Sequence, residues 1–194
     1  MKKEEKAAIG REPGAAAVEF AEVFVLATVI VICFLTFFMR LCVVDGPSMN
    51  NTLYDGELLL VSDFAYHPKE GDIIVFHQTS EIDRFNEPIV KRIIATGGKY
   101  VKIDYRNTAV YVSDDDIFTK DERLDESKYA YFSNGGFYEA ATKDSDVFFV
   151  PEGSLFVLGD NRNNSADSRY AVIGMVDERR ILGQVLLRFA QKRN

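Results

Sequence analysis

Ser48 stands in "VVDGPSMNNTL" (residues 43–53), directly behind a Gly46–Pro47 turn, and a bend presents a hydroxyl in a way that a regular strand or helix does not. Most such triplets are plain surface turns, so a nucleophilic role needs a base to draw off the proton. The chain has two histidines. His67 lies in the loop "YHPKEG" and His77 closes the run "GDIIVFHQ"; neither sits in the acidic setting that would mark the orienting member of a triad, and both read as structural. The other available base is a lysine stripped of water, because burial penalises its charged form. Lys91 occupies such a place in "PIVKRIIA", where alternation sets Ile89, Lys91, Ile93 and Ala95 on one face and Val90, Arg92 and Ile94 on the other. One cation of the pair must therefore enter apolar company, and the pattern leaves open which. Since arginine keeps its proton, a base on this strand has to be Lys91, with Arg92 on the wetter side or in an ion pair. The plainer alternative is a gatekeeper lysine on an edge strand. A third stretch, "GDNRNNSADSR" (residues 159–169), has Ala166 as its one apolar side chain. It is no calcium loop: Arg162 takes the third position from Asp160, and the central glycine and terminal glutamate are missing. Its acids, arginines, amides and hydroxyls could form a self-satisfied network that holds a neighbouring side chain in one rotamer.

The elements that must position these residues fit within 194 residues carrying a net charge of −7 and 47% hydrophobic side chains, enough for one or two small folded domains. The acidic balance argues against nucleic acid as a partner. Residues 23–39 hold no charge, and a helix over 23–44 would carry Arg40 near its end with the guanidinium bent back to headgroups. At ~1.5 Å per residue the two lengths are roughly 25 and 33 Å, bracketing a bilayer core of about 30 Å. The run reads as a transmembrane helix rather than a buried core helix, which would show a polar stripe, or a cleavable signal, since "RLCVVDG" has no small-x-small site. Lys2, Lys3, Lys6 and Arg11 precede it, against Arg40 alone just beyond, so residues 1–22 are expected in the cytoplasm and 45–194 outside. With at most ~3.6 Å per extended residue, Ser48 then lies within roughly 15 Å of the end of that helix. Cys33 and Cys42 would fall on opposite sides of it, giving neither a disulfide nor a metal site.

Beyond the apolar run, "ELLLVSDFAY", "GDIIVFHQ", "EPIVKRIIATGGKYVKID", "TAVYVSD", "DVFFVPEGSLFVLGD" and "ILGQVLLRF" are strand-like, with Gly, Pro, Asp and Asn between them. The expected fold is mainly β: an antiparallel sheet or partly open barrel following one N-terminal transmembrane helix. The last sixteen residues lean towards a strand. Residues 113–127 are dense in charge, and "YAYFSNGGFYEA" reads as a hairpin around Asn134–Gly135–Gly136, so a segment of about 104–148 is taken as an insertion. Asp114, Asp115 and Asp116 are better read as a solvated loop than as a cation site.

Together, Ser48–Met49 with Thr52–Leu53, "GDIIVF" from Gly71, Lys91–Arg92 with Gly97, and "GDNRNNSADSR" resemble type I signal peptidases in order and spacing, over nearly the whole chain. These are membrane-bound Ser/Lys enzymes that remove signal peptides from exported proteins. A single apolar segment and a short insertion look more like the Gram-positive members. The resemblance implies Ser48 as nucleophile, Lys91 as general base, Ser165 as the hydroxyl that bonds and orients the lysine amine, Asp167 and Arg169 as a supporting salt bridge, and Asp160 and Arg162 as residues shaping the site. It further implies an extended substrate beside "CVVDG" and "EPIVK", with Asp45, Gly46, Met49, Pro88, Ile89 and Val90 in substrate or oxyanion binding, and shallow pockets for small side chains. No metal or other cofactor is implied; the partners are preprotein signal peptides and the lipid bilayer. Three positions depart from the family pattern: Asn51 replaces a usual proline, Lys99 stands where an acid often follows, and Gly46 replaces the serine that helps some relatives bind the oxyanion. The backbone N–H of Ser48 would then carry more of that task. Two other readings are a tethered β-domain that binds a peptide without cutting it and a self-cleaving Ser/Lys repressor; the apolar segment and the lack of a DNA-binding helical domain oppose the second.

Overall fold

The computed structural model describes residues 14–78 and 87–189 and divides at Met39 into two compact units. Lys2, Lys3, Lys6 and Arg11, on which the expected orientation rests, and residues 190–194 lie outside the described residues.

The first unit contains one helix, α1 (Ala15–Phe38). From Ala16 to Phe38 it has a mean hydropathy of 2.5 and nothing packed over it, so among the described residues it is the one helix long and apolar enough to cross a membrane. Its two threonines turn inwards on the helix: Thr28 and Thr36 each donate to the carbonyl four residues back, at 2.8 Å. That leaves no hydroxyl in need of water. The helix starts eight residues before the expected boundary and stops well before Val44. Met39 is already extended, and Met39–Val43 form a strand, β1. The reason lies in Arg40, whose guanidinium donates to the Leu182 carbonyl at 3.1 Å and pairs with Asp63 at 3.4 Å instead of reaching back along a helix. Cys42 is accordingly a strand residue, and both cysteines are free.

The second unit is built of strands and loops, with three short helical turns among the described residues. Its larger sheet orders seven strands as β1, β2 (Leu58–Ser62), β10 (Ile181–Phe189), β3 (Ile73–His77), β4 (Pro88–Ala95), β8 (Ser154–Leu158) and β9 (Val176–Asp177). A smaller sheet places β5 (Tyr100–Asp104) between β6 (Ala109–Ser113) and β7 (Ser145–Phe149). The registered pairs of both sheets are antiparallel. Alternation works as expected in β2 and β5, which bury Leu59 with Val61 and Val101 with Ile103. Two runs that read as single strands are each cut in two: a turn at Gly97–Gly98 separates β4 from β5, and Pro151 separates β7 from β8, so each run feeds both sheets. The C-terminal lean towards strand is met over Ile181–Phe189.

The chain leaves the small sheet after β6 and returns at β7. In between, the expected hairpin around Asn134–Gly136 does not form. The segment runs in turns, with a short helical turn at Tyr138–Ala141, and Tyr131 instead makes a parallel bridge with Asn161. A hairpin needs two strands with a buried face; this segment satisfies its backbone against residues 159–169 instead.

Candidate active site

Ser48 sits on a turn anchored from beneath. Its neighbours Met49 and Leu53 are fully buried among Val44, Leu59, Val61 and Val75, so the turn is tied to the core through side chains on either side of the bend. Gly46 enters the turn at φ +86°, a left-handed conformation that suits glycine, and its N–H donates to Asp55 at 2.8 Å. From the side, Asn161 holds the same turn twice. Its backbone N–H donates to the Ser48 carbonyl at 3.0 Å and its side-chain amide to the Pro47 carbonyl at 3.0 Å.

Strand β4 brings the amine. Lys91 lies opposite Ile74 of β3 and is only 4% exposed. Its Nζ is 2.8 Å from Ser48 Oγ and donates to the Val90 carbonyl at 2.9 Å. Burial pulls its pKa down to about 8, against a smaller upward pull from Asp167 and Asp160. The choice left open by alternation falls out clearly: Lys91 is the dry cation, and Arg92 is the paired one. Arg92 donates from Nε and Nη2 to the two carboxylate oxygens of Asp160, at 2.8 and 2.7 Å, and from Nη1 to the Gly71 carbonyl at 2.7 Å. Asp160 is fully buried and also accepts from the Thr52 hydroxyl, which ties the lysine strand to the serine turn.

Residues 159–169 wrap behind both. A Cβ on Gly159 would lie 2.2 Å from Ser165 Oγ and 2.6 Å from the Ser48 carbonyl oxygen, so the position has room for glycine alone. Asp167 accepts from the Gly159 N–H at 3.1 Å and from Arg169 Nε at 2.8 Å, in an ion pair whose side chains are almost wholly buried. Arg169 goes on to the Arg162 carbonyl at 2.6 Å, and Arg162 Nε to the Gly159 carbonyl at 3.1 Å. Ser165 differs from its expected role. Its Oγ is buried against Gly159 without a hydrogen-bond partner among the described residues, and the lysine amine is oriented by Val90 instead.

A groove of about 490 Å³ opens on Ser48 and Lys91. Leu41, Cys42 and Val43 of β1 form one wall, Pro88, Ile89 and Val90 of β4 another, with Asp45 and Ala166 at the reactive pair. Of the residues expected to bind substrate, Gly46 and Met49 are not among its walls. Met49 is a core anchor, and the Gly46 N–H is engaged by Asp55. His67 and His77 are exposed and line no part of it. Among the described residues no group of three or more His, Cys, Asp or Glu is arranged to hold a metal; Asp115 closes a local turn by accepting from the Ile117 N–H at 2.9 Å.

A serine and a desolvated lysine in contact at the floor of an apolar groove form a unit able to attack a carbonyl. A family profile described as signal peptidase, peptidase S26, matches residues 17–190. The chain belongs to the signal peptidase family. It is thus a peptidase, and its substrates are proteins that carry signal peptides. Signal peptidase IB of Staphylococcus aureus is 32% identical over 159 residues, covering 75% of each chain. A probable signal peptidase I-2 of Synechocystis is 30% identical over 176 residues, covering 88% of this chain and 72% of its own. The crystal structure of a signal peptidase I from Enterococcus faecalis is 31% identical and covers 63% of this chain and 98% of that one, at a TM-score of 0.42.

Several residues of this signal peptidase's site escape sequence reading. Asn161 and Thr52 sit in recognised stretches, yet nothing in their spacing tells that they clamp the serine turn. Glu126, Tyr129 and Glu139 come from the charged insertion. A charge count would have hinted at them: within the recognised motifs Lys91, Arg92, Arg162 and Arg169 stand against Asp72, Asp160 and Asp167, one carboxylate short.

Proposed function

We propose that the chain is a single-pass membrane endopeptidase that removes signal peptides from exported preproteins with Ser48 as nucleophile and Lys91 as general base. Chief support comes from the 2.8 Å approach of Lys91 Nζ to Ser48 Oγ, in a site dry enough to hold the amine's pKa at about 8. The neutral amine accepts the hydroxyl proton as Oγ bonds to the scissile carbonyl carbon. The oxyanion is met by the Ser48 N–H, and the ammonium returns its proton to the departing amine as the C–N bond breaks. An acyl-enzyme remains on Ser48. Water gives a proton to the same amine, attacks the ester carbon, and frees Oγ, which recovers the proton.

The substrate lies extended in the groove between β1 and β4, pairing through its backbone; shallow walls restrict it to small residues at the first and third positions before the cut. Helix α1 spans the bilayer with the N-terminus in the cytoplasm, as the cationic residues before it require, so the peptidase unit works outside. Asp167 with Arg169 and Asp160 with Arg92 fix the geometry, and Ser165 packs behind the nucleophile. No cofactor enters any step.

The test is incubation of the detergent-solubilised full chain with a preprotein. Cleavage after a small-x-small site that vanishes in Ser48→Ala and in Lys91→Ala is the expected result. An intact preprotein with the wild type would leave a membrane-tethered binding domain as the better reading.

A further inference from the structure

The excursion between β6 and β7 packs Phe137 into the core beneath its own sheet and, through other residues, bonds to residues 159–169. Glu126 pairs through both carboxylate oxygens with Arg162, one contact at 2.9 Å, and the Arg162 side chain is fully buried. The Tyr129 ring centroid lies 4.2 Å from the Arg92 guanidinium carbon, and the Tyr129 hydroxyl donates to Glu126 at 3.3 Å. Two residues on, the Tyr131 N–H donates to the Asp160 carbonyl at 2.7 Å, and its own carbonyl accepts from the Arg162 N–H at 3.0 Å. Glu139 accepts from Arg169 at 3.3 Å and from the Tyr170 hydroxyl at 2.8 Å.

The charge balance gives these contacts a consequence. Asp160 must serve both Arg92, beside the lysine, and Thr52, on the serine turn, while Asp167 is held by Arg169 and Gly159. If Glu126 lost its charge, the buried Arg162 guanidinium would have to draw on one of these two carboxylates or remain unpaired, which a dry site does not tolerate. Drawing on Asp160 would loosen the link between strand β4 and the nucleophile turn. Tyr129 stacks on the Arg92 guanidinium while Asp160 takes its Nε and Nη2 edge, so the two hold Arg92 in different directions.

We infer that Glu126 and Tyr129 of the insertion are positioning residues for the Ser48–Lys91 pair, acting through Arg162 and Arg92. The inference rests on the assignment of that pair as the catalytic dyad. An insertion that looks like a solvated loop is on this view the outer half of the catalytic scaffold.

The test uses the full chain in detergent with Glu126→Gln, Glu126→Asp, Tyr129→Leu and, as a control on the exposed part of the same segment, Asp116→Asn. Preprotein cleavage is measured well below each variant's melting midpoint. Glu126→Gln and Tyr129→Leu are expected to lower kcat by roughly tenfold or more with KM little changed, since small displacements of a reacting pair have effects of that size. Glu126→Asp is expected to recover part of the loss, and Asp116→Asn to match the wild type. A kcat within about twofold of wild type in folded Glu126→Gln or Tyr129→Leu overturns the inference; if Glu126→Gln does not fold, Tyr129→Leu decides alone. Should the wild type itself cleave nothing, the proposed function has failed, and NMR titration of isotope-labelled Lys91 then decides. In Glu126→Gln the freed Arg162 should draw on Asp160 or Asp167, the two carboxylates that hold the Lys91 midpoint up, so that midpoint should fall, and an unchanged or raised midpoint overturns the inference.

Discussion

At pH 7 an amine with a pKa of about 8 is protonated in roughly nine molecules of ten, so on the proposed mechanism most of them wait in a form unable to take the serine proton. The logarithm of kcat/KM for preprotein cleavage is therefore expected to rise with unit slope as pH approaches 8 and to level off above it. A profile that peaks in acid would remove Lys91 as the base. The same shift has a price in stability, and its sign is opposite to that of an ordinary ion pair. The folded pKa lies below the unfolded value near ~10.4, so between pH 8 and 10.5 the unfolded chain binds more protons and stability rises with pH. Below about pH 8 the full penalty applies, on the order of 3 kcal/mol. Lys91→Met should abolish cleavage yet stabilise the fold at pH 7 by about 1–2 kcal/mol once the lost hydrogen bond to Val90 is deducted. Comparing the denaturant midpoints of the two proteins in detergent checks this, and a midpoint at or below wild type contradicts it. At Gly159, where an added Cβ would collide with Ser165 and the Ser48 carbonyl, Gly159→Ala should displace the nucleophile turn. Its kcat is expected to fall by roughly a hundredfold.

Among the elements, residues 159–169 carry the heaviest electrostatic duty, and Asp167 is their hinge point: its buried carboxylate fixes Arg169 and the Gly159 N–H together. Asp167→Ala leaves the buried Arg169 guanidinium with only the longer Glu139 contact and the Arg162 carbonyl, and is expected to cost about 3 kcal/mol, read as a lower melting midpoint and lost cleavage together. If the melt were unchanged, the ion pair would be worth no more than one at the surface. These elements also show what could be read from the chain beforehand. In β4 the alternation of "PIVKRIIA" was enough to require one buried cation, and the chemistry of guanidinium against ammonium was enough to name Lys91 as the possible base. The polar run after β8 announced itself by having almost nothing to bury. The end of α1 was illegible, because Arg40, Leu41, Cys42 and Val43 suit a helix end in lipid as well as an edge strand; a partner far along the chain, at Leu182, decides. The role assumed for Ser165 needed a rotamer that no pattern encodes. For the insertion, Glu126 and Glu139 look like any other acids in a charged loop until Arg162 and Arg169 are seen buried against them.

At the scale of the molecule, the two units divide the work along a boundary at Met39. Every residue given a part in the chemistry, from Asp45 to Arg169, and all three apolar clusters of the core belong to the second unit. Except for Met39, the first residue of β1, every strand of the sheets lies within residues 40–194. Residues 40–194 are therefore expected to fold without the helix, to melt cooperatively, and to cleave a short soluble peptide with kcat close to that of the full chain. Their handling of a membrane-inserted preprotein should be much poorer, because removing α1 removes the anchor that confines enzyme and substrate to one surface. The unit does keep apolar side chains in the open at Leu41, Val43, Phe64, Leu187 and Phe189, so detergent has to remain present for the comparison to be fair. Circular dichroism melts and parallel assays on the two substrates measure both halves of the expectation. A truncated chain that is folded yet inactive on the short peptide would mean that α1 contributes to the site itself, and the separation of anchor from chemistry would have to be given up.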